Sequence, residues 1–329
     1  MSLSYSETYM HTDQIAFFDK PPINKAILKT QYVNHEADYT TSKGHEVVAF
    51  YIESSNTQLI DFSRSYFQCS IQIVKDKDDT DFIVHDLIQD EKVIGKDNLN
   101  PNNQYGIPVD NIFHSLWKGV DILADNKTIS TSGTNYMYKA FIEQTLKRRS
   151  ENKLELGHLE GYSPDNGDFK ATHPFATKLN KGLQVRYGWT RDKRVFTMKG
   201  PLKADIWQQD KLMLNGVNLA FILTPTSDEF RLITNPKDLK CKMILSDLQL
   251  HLCKVTLDPR ALIGVSHTLK SVNAKYPVQK ADVRMKQVEK GSLNLIIDNI
   301  YKDKSVPTRV ICGLVDAEAY NGHMQKNPF

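Results

Sequence analysis

Cysteine is scarce in this sequence. Cys69, Cys241, Cys253 and Cys312 are the only four in 329 residues, and no two are spaced as CxxC. That excludes the disulfide scaffold of a small secreted domain; the four read as reduced, mostly buried thiols of a cytosolic or nuclear protein. An excess of one charge is missing too. Lys+Arg number 42 and Asp+Glu 39, and a net +3 is too little for a polycation held on nucleic acid by charge alone. Glycine (16) and proline (13) are too few for a collagen-like or linker-like chain. The longest apolar runs, such as residues 219–223, are far too short to span a bilayer, and the opening MSLSYSETYMHTDQ lacks the apolar stretch of a signal peptide. What remains is an ordinary globular balance, 40% hydrophobic and 25% charged, long enough for one large domain or two ordinary ones.

The pattern along the chain is mostly of period two. Residues 1–38 are polar and aperiodic and read as an N-terminal arm, with Pro21-Pro22 in its middle. His45 to Ile52 is rich in β-formers, and in Tyr66 to Val74 the residues Phe67, Cys69, Ile71 and Ile73 share one face. A short segment, Phe82 to Ile88, precedes a polar loop near residue 100. Val109, Ile112, Phe113, Leu116 and Trp117 then fall on a helical stripe, with Asp110 placed to favour the helix dipole. A hairpin turns at Asp125-Asn126-Lys127, and a second helix is expected over Tyr136 to Leu146. Residues 147–175 lose all period, as a surface or functional loop does. Strand signals resume at 194–198, 204–208, 217–223 and 230–233, with Asn215-Gly216 read as a hairpin turn between 212–214 and 217–219. A connection near 234–238 marks the expected domain boundary. Beyond it lie a strand at 245–255, a helix opened by Asp258-Pro259, and strands at 281–288, 293–297 and 309–315. Two halves of this kind predict an all-β protein of two sandwich domains.

Catalytic and metal-binding patterns are weak. His45-Glu46-Val47-Val48-Ala49 has alanine where a zinc protease needs its second histidine. Cys241, His251 and Cys253 lack an evident fourth ligand, and their spacing matches no common zinc finger. Gly264-Val265-Ser266-His267-Thr268 lacks the second glycine of a nucleophile elbow, and Ser130-Thr131-Ser132-Gly133-Thr134 lacks the aspartate of an aspartic-protease loop. There is no Walker A or GxGxxG motif. Lys147-Arg148-Arg149 and Arg191-Asp192-Lys193-Arg194 are short basic runs that read as solvated loop faces. Trp117, Trp189 and Trp207 read as core or interface anchors. No catalytic residue, cofactor site or metal site is therefore expected.

Several stretches together resemble a known family. VDNIFHSLWKGVD (109–121) is similar to an NNFLHSLFSQVDV-type segment of the major capsid proteins of Maverick/Polinton elements and adintovirus-like viruses. The similarity continues at TNYMYKAFIE (134–143), QDKLMLNGV (209–217) and AKYP (274–277). It ends at GLVD (313–316), AYNG (319–322) and KNPF (326–329), all in the family's order. The resemblance implies a double jelly roll akin to adenovirus hexon. It implies an N-terminal arm at 1–38, a first jelly roll at 39–235, and a second, incomplete roll at 236–329, where only four or five strands are counted. It also implies a non-enzymatic shell protein that forms homotrimers and then a capsid lattice in a virion assembled in the host cytoplasm or nucleus. A penton or minor capsid protein would be its other partner; a membrane span and sequence-specific nucleic-acid binding are not expected. The alternative read from the fold class is a β-sandwich module that binds carbohydrate or protein ligands. In a shell protein the arm and the 147–175 loop are expected to be poorly packed on an isolated chain. Their apolar anchors are Ile15, Phe17 and Phe18 in the arm, and Leu154, Leu156, Leu159, Tyr162 and Phe169 in the loop.

Overall fold

A computed structural model of the chain describes residues 26–42, 45–75, 103–147, 157–167, 173–174, 180–235, 239–292, 307–323 and 326–329. Its strands are β1 (Ile27–Glu36), β2 (Asp38–Ser42), β3 (His45–Ile52), β4 (Gln58–Lys75), β5 (Tyr105–Pro108) and β6 (Trp117–Ala124). They continue as β7 (Lys127–Thr131), β8 (Phe196–Gly200), β9 (Leu219–Pro225), β10 (Leu232–Asn235) and β11 (Cys241–Leu257). One sheet runs β1-β11-β4-β8 and a second runs β2-β3-β9-β6-β7, while β5 and β10 pair as a small ribbon. Every pairing is antiparallel.

Set aside β2 and the ribbon, and the partners nest. First pairs with last (β1 with β11), second with seventh (β3 with β9), third with sixth (β4 with β8), and fourth with fifth (β6 with β7). This is one long hairpin wrapped over itself into two sheets, the jelly-roll arrangement. The chain crosses between sheets at nearly every connection. Apart from β2 to β3, only β6 to β7 among the described strands stays within one sheet, through a turn in which Asp125 (φ 45°) and Asn126 (φ 63°) are both left-handed. Two such residues are what a type I′ hairpin turn demands, and short polar side chains tolerate them.

The inner faces carry the core. Phe67, Cys69, Ile71 and Ile73 of β4 are wholly buried, as their alternation predicts. They meet Val48, Phe50 and Ile52 of β3, Val120 and Ile122 of β6, and Leu219, Phe221 and Leu223 of β9. Phe67 sits where the sheets join, its ring 5.8 Å from Phe50 and 5.7 Å from both Phe113 and Trp117. Truncating a phenylalanine in such a place costs about 3–5 kcal/mol.

The all-β antiparallel class expected from the sequence is the one the chain adopts, but the expected domain limits are displaced. The arm read as 1–38 contains β1, an edge strand paired with β11 from Ile27↔Leu257 to Glu36↔Gln249. The boundary at 235/236 falls between β10 and β11. Beyond it, β11 lies in the middle of the first sheet, paired with β4 as well as β1. The roll therefore spans residues 27–257. A local connection signal says nothing of a partner some 200 residues away, and here the chain turns back into the same body.

After Leu257 the described residues hold two helices, Pro259–Leu269 and Ala317–Tyr320, and otherwise irregular chain. The strands expected at 281–288 and 309–315 are not formed; the one at 293–297 lies outside the described residues, as do Phe82–Ile88 and most of the arm. Three further local differences have simple causes. The stripe from Val109 to Trp117 is buried throughout, yet only Ile112–Ser115 is helical, because Trp117 already opens β6. Residues 205–208 form a 3-10 turn, since Asp205 is drawn inward to pair with Lys139. Asn215-Gly216 makes no hairpin: Met213 instead exchanges both backbone hydrogen bonds with Ile60 of β4 (3.1 and 2.7 Å).

A chain cut after Leu257 is expected to keep a cooperative thermal transition with a β circular-dichroism spectrum. Its transition falls somewhat, because Leu59, Val255 and Leu257 lose the cover of Ala261 and Leu262. A chain cut after Asp238 lacks the central strand and is expected to show no such transition; if it melts cooperatively, the single roll over 27–257 is wrong.

Candidate functional site

We label the described helices α1 (Ile112–Ser115), α2 (Tyr136–Lys147), α3 (Lys181–Thr190), α4 (Asp228–Arg231), α5 (Pro259–Leu269) and α6 (Ala317–Tyr320). The residues singled out in the sequence do not converge. His251 and Cys253 share the outer face of β11, while Cys241 lies ten residues away in the core, roughly 33 Å along an extended strand. A bulge at Asp247, with φ of 50°, puts Cys241 on the opposite face. The His251 ring stacks on Tyr66 at 4.5 Å. Burial, aided by Lys199, lowers its pKa, and burial raises that of Cys253. Among the described residues no group of three or more His, Cys, Asp or Glu is placed to hold a metal ion. His45 and Glu46 open β3, and Gly264 to Thr268 lie in α5. Ser130 and Thr131 end β7, and the chain then leads into α2. Lys147 ends α2, while Arg148 and Arg149 lie outside the described residues. Arg191 to Lys193 form a half-buried 3-10 turn with Asp192 exposed. Trp117 and Trp207 are core residues, whereas Trp189 stacks on Phe196 at 4.7 Å nearer the surface.

What the structure does assemble is a buried polar weld around α1. The Asp110 carboxylate accepts the N–H groups of Asn111 (2.8 Å) and Ser163 (2.7 Å). Arg186, wholly buried on α3, donates to the carbonyls of Pro108 (3.1 Å) and Ser163 (2.5 Å) and to the Asp165 carboxylate (2.6 Å). His114 lies between the Tyr136 hydroxyl (3.0 Å) and the Glu160 carboxylate (3.4 Å), and Tyr136 accepts the Lys203 N–H. The N–H groups of Ile112 and Phe113 donate to the carbonyls of Gly161 and Glu160. Two glycines allow this approach. Gly161 has φ of +63°, and a Cβ there would sit 2.3 Å from the Ile112 side chain; at Gly182 a Cβ would sit 2.2 Å from the Pro164 carbonyl oxygen.

This corrects one expectation. Residues 157–165 of the 147–175 loop are not loosely held: Tyr162, Glu160 and Ser163 are buried, and only Leu159 among the described anchors is exposed. Leu154, Leu156, Phe169, Ile15, Phe17 and Phe18 lie outside the described residues. The sequence marked Asp110 only as a helix-end charge. Its true role depends on Ser163 and Arg186, which are far away in the chain.

The apolar surface lies elsewhere, on α5 and the chain after it. Ile263 on α5 is 69% exposed and Leu314 is 93% exposed, with Val272, Val310 and Ile311 also open. No residue of α5 is buried. This stretch is tied down at few points. Tyr276 accepts the Leu214 N–H (3.0 Å), and Asn135 donates to the Val283 carbonyl (3.2 Å). Asn327 donates to Asp165 (2.7 Å), and Phe329 stacks on Phe141 at 4.8 Å beside Tyr138 and Phe230. No helix among the described residues is long and apolar enough to cross a membrane.

No family model matches the chain. It is similar to the uncharacterized protein F54H12.2 of Caenorhabditis elegans, at 25% identity over 228 residues, 68% of this chain and 51% of that protein. The chain thus spans about half the length of the curated relative it matches. Among solved structures it is similar to the Sputnik virophage seen by cryo-EM, with a TM-score of 0.45 and 12% identity over 75% of this chain and 52% of that one. The Faustovirus major capsid protein matches with a TM-score of 0.41 and 7% identity over 81% and 63%. The mavirus major capsid protein matches with 0.39 and 12% over 78% and 51%.

Asp110 gives the weld a pH dependence. Burial pushes its pKa up to about 6 from 3.8, against the opposing pull of Arg186 and the two N–H donors. The folded state therefore holds a proton that the unfolded chain has released. The stability from this group is fully present below about pH 4 and is lost as pH rises through about 6. Urea unfolding of the wild type and of Asp110→Asn, measured near pH 4 and near pH 7, should show the wild type gaining on the variant at the lower pH. A difference that does not change with pH would mean that Asp110 titrates as it does in the unfolded chain.

Proposed function

We propose that this chain is a non-enzymatic building block of a viral capsid, assembling with copies of itself, as a trimer first, into the shell of a virion. The observation that carries the reading is the apolar surface of α5 and the segment after it, laid on the outside of a complete jelly roll. A lone soluble domain gains nothing from leaving Ile263, Ile311 and Leu314 in water, whereas each contributes about 1.5–3 kcal/mol when fully buried. The nested strand order adds support, since it is the architecture that capsid jelly rolls use. The segments at 109–121, 134–143, 209–217, 274–277, 313–316, 319–322 and 326–329, which follow the family's order, add independent support from sequence, and they point to the Maverick/Polinton and adintovirus-like group. In this reading the chain works by burying surface between subunits. Rigid strands fix the frame, and the long connections and the tail make the contacts. A penton or minor capsid protein at the shell's vertices is the further partner, and no sequence-specific nucleic-acid contact is part of the reading.

Size-exclusion chromatography with light scattering on the full chain at micromolar concentration tests this. The expected species is a trimer or a larger assembly. The double variant Ile311→Asp, Leu314→Asp is expected to shift that species toward monomer while leaving the melting temperature of the roll unchanged, because neither side chain is part of the core. A wild-type chain that stays monomeric and binds glycans would replace this reading with that of a β-sandwich binding module.

A further inference from the structure

We propose that residues 309–316 of one copy add, as an antiparallel strand, to the open edge of β1 in a second copy of this chain. The proposal rests on the assembly reading above and names the contact that joins the copies. The donor is backbone without a ladder. Arg309 to Asp316 are all exposed and belong to no helix or strand, and Arg309 to Val315 make no backbone hydrogen bond among the described residues. The acceptor is a sheet edge. The two main sheets end in β1, β8, β2 and β7. The last three are five residues long, whereas β1 has ten. One side of β1 is taken by β11, and its other side faces no strand among the described residues. Such an edge is a template for a further strand. Its inward residues Gln31, Val33 and His35 are only half-buried, whereas Leu250 and Leu252 beside them on β11 are closed off from water.

Charge selects the register. Lys29 and Glu36 stand seven positions apart (29 to 36), and Arg309 and Asp316 stand equally far apart (309 to 316). Laid antiparallel with Arg309 opposite Glu36, Asp316 falls opposite Lys29, and the members of each pair share a face. No other alignment on β1 sets both pairs, and none of β2, β7 and β8 carries both an acid and a base. In this register Val310, Cys312 and Leu314 lie beside His35, Val33 and Gln31 and extend the inner apolar layer past Leu252. Gly313 falls opposite Tyr32, whose ring is 54% exposed and covers the bare backbone of a facing glycine. Asp316 caps α6 through Oδ1 and meets Lys326 through Oδ2 (2.9 Å), so Lys29 joins an exposed ion pair rather than a buried one. The tail of one copy on the edge of the next is a heterologous contact, the kind that closes into rings such as a trimer.

Two sets of full-length variants test this. Glu36→Arg and Arg309→Glu each set like charges opposite one another. Each should weaken association by roughly fivefold or more, read by light scattering over a dilution series. Combined, they restore the pair with its signs exchanged and should recover wild-type association. Both positions are exposed, so the melting temperature should not change. In the second set, Val33→Cys faces the exposed Cys312, while Cys69, Cys241 and Cys253 are buried. Mild oxidation should join copies through a 33–312 disulfide, seen as multiples of the chain on a non-reducing gel. Thr30→Cys, out of register and on the other face, should not cross-link. An assembly that forms with neither charge rescue nor cross-link would overturn this contact and leave the shell reading standing. A monomeric wild type overturns the shell reading alone if Val33→Cys still joins copies, and both readings if it does not. A 33–312 disulfide closed within one chain would show that the segment covers its own β1, and would also overturn the proposal.

Discussion

The first sheet has no hydrogen-bonded continuity without Cys241–Leu257, because β11 is the only strand that touches both β1 and β4. Remove it, and β1 becomes a stray edge while the inner row of Phe67, Cys69, Ile71 and Ile73 loses the Leu248, Leu250 and Leu252 row beside it. The register is fixed on both sides by burial. Slipping β11 by one residue would turn its leucines outward and bring Gln249 and His251 into the core. The strand also cannot be a plain ribbon. Its bulge at Asp247 lets Met243 and Leu250 both face inward despite their odd separation, so one strand can follow the twist of a long sheet.

The second layer of organisation is polar. The Asp110, Arg186 and His114 groups are buried where a jelly roll must turn its chain between sheets, and each answers a need of the backbone. Arg186 satisfies the carbonyls of Pro108 and Ser163, and Asp110 takes two N–H groups beside a helix only four residues long. A helix that short cannot hold itself. It persists because the loop at 157–165 supplies the hydrogen bonds that its own length cannot. The cost is paid in desolvation, seen in the raised pKa of Asp110, and the return is specificity of position in a region without sheet pairing.

How much of this the sequence disclosed depends on whether the information was local. The alternation in β4 and β11 and the Asp125-Asn126 turn are read directly from neighbouring residues, and all were legible. So was the Asp258 cap of α5, whose carboxylate accepts the Arg260 N–H. The stripe at 109–117 was legible as buried but not as to shape, because a ribbon end, a helix and a strand in succession all face the core. The expected strands at 281–288 and 309–315 have the residues of strands but no neighbour among the described residues to pair with. Pairing over two hundred residues leaves no local trace, which is why β1 reads as part of an arm and β11 as a new domain. The Arg186 weld is invisible for the same reason, as it is an accident of tertiary neighbours rather than of spacing.

Gly161 and Gly182 set a limit of another kind. Each faces a neighbour so close that even a methyl group would collide, one with Ile112 and the other with the Pro164 carbonyl. The weld is therefore a region where mutational drift is blocked from the backbone side, while the surface of α5 and the residues around Leu314 can change freely as far as folding is concerned. In a population of such chains the loop at 157–165 would admit few substitutions, although nothing in its local sequence marks it as constrained.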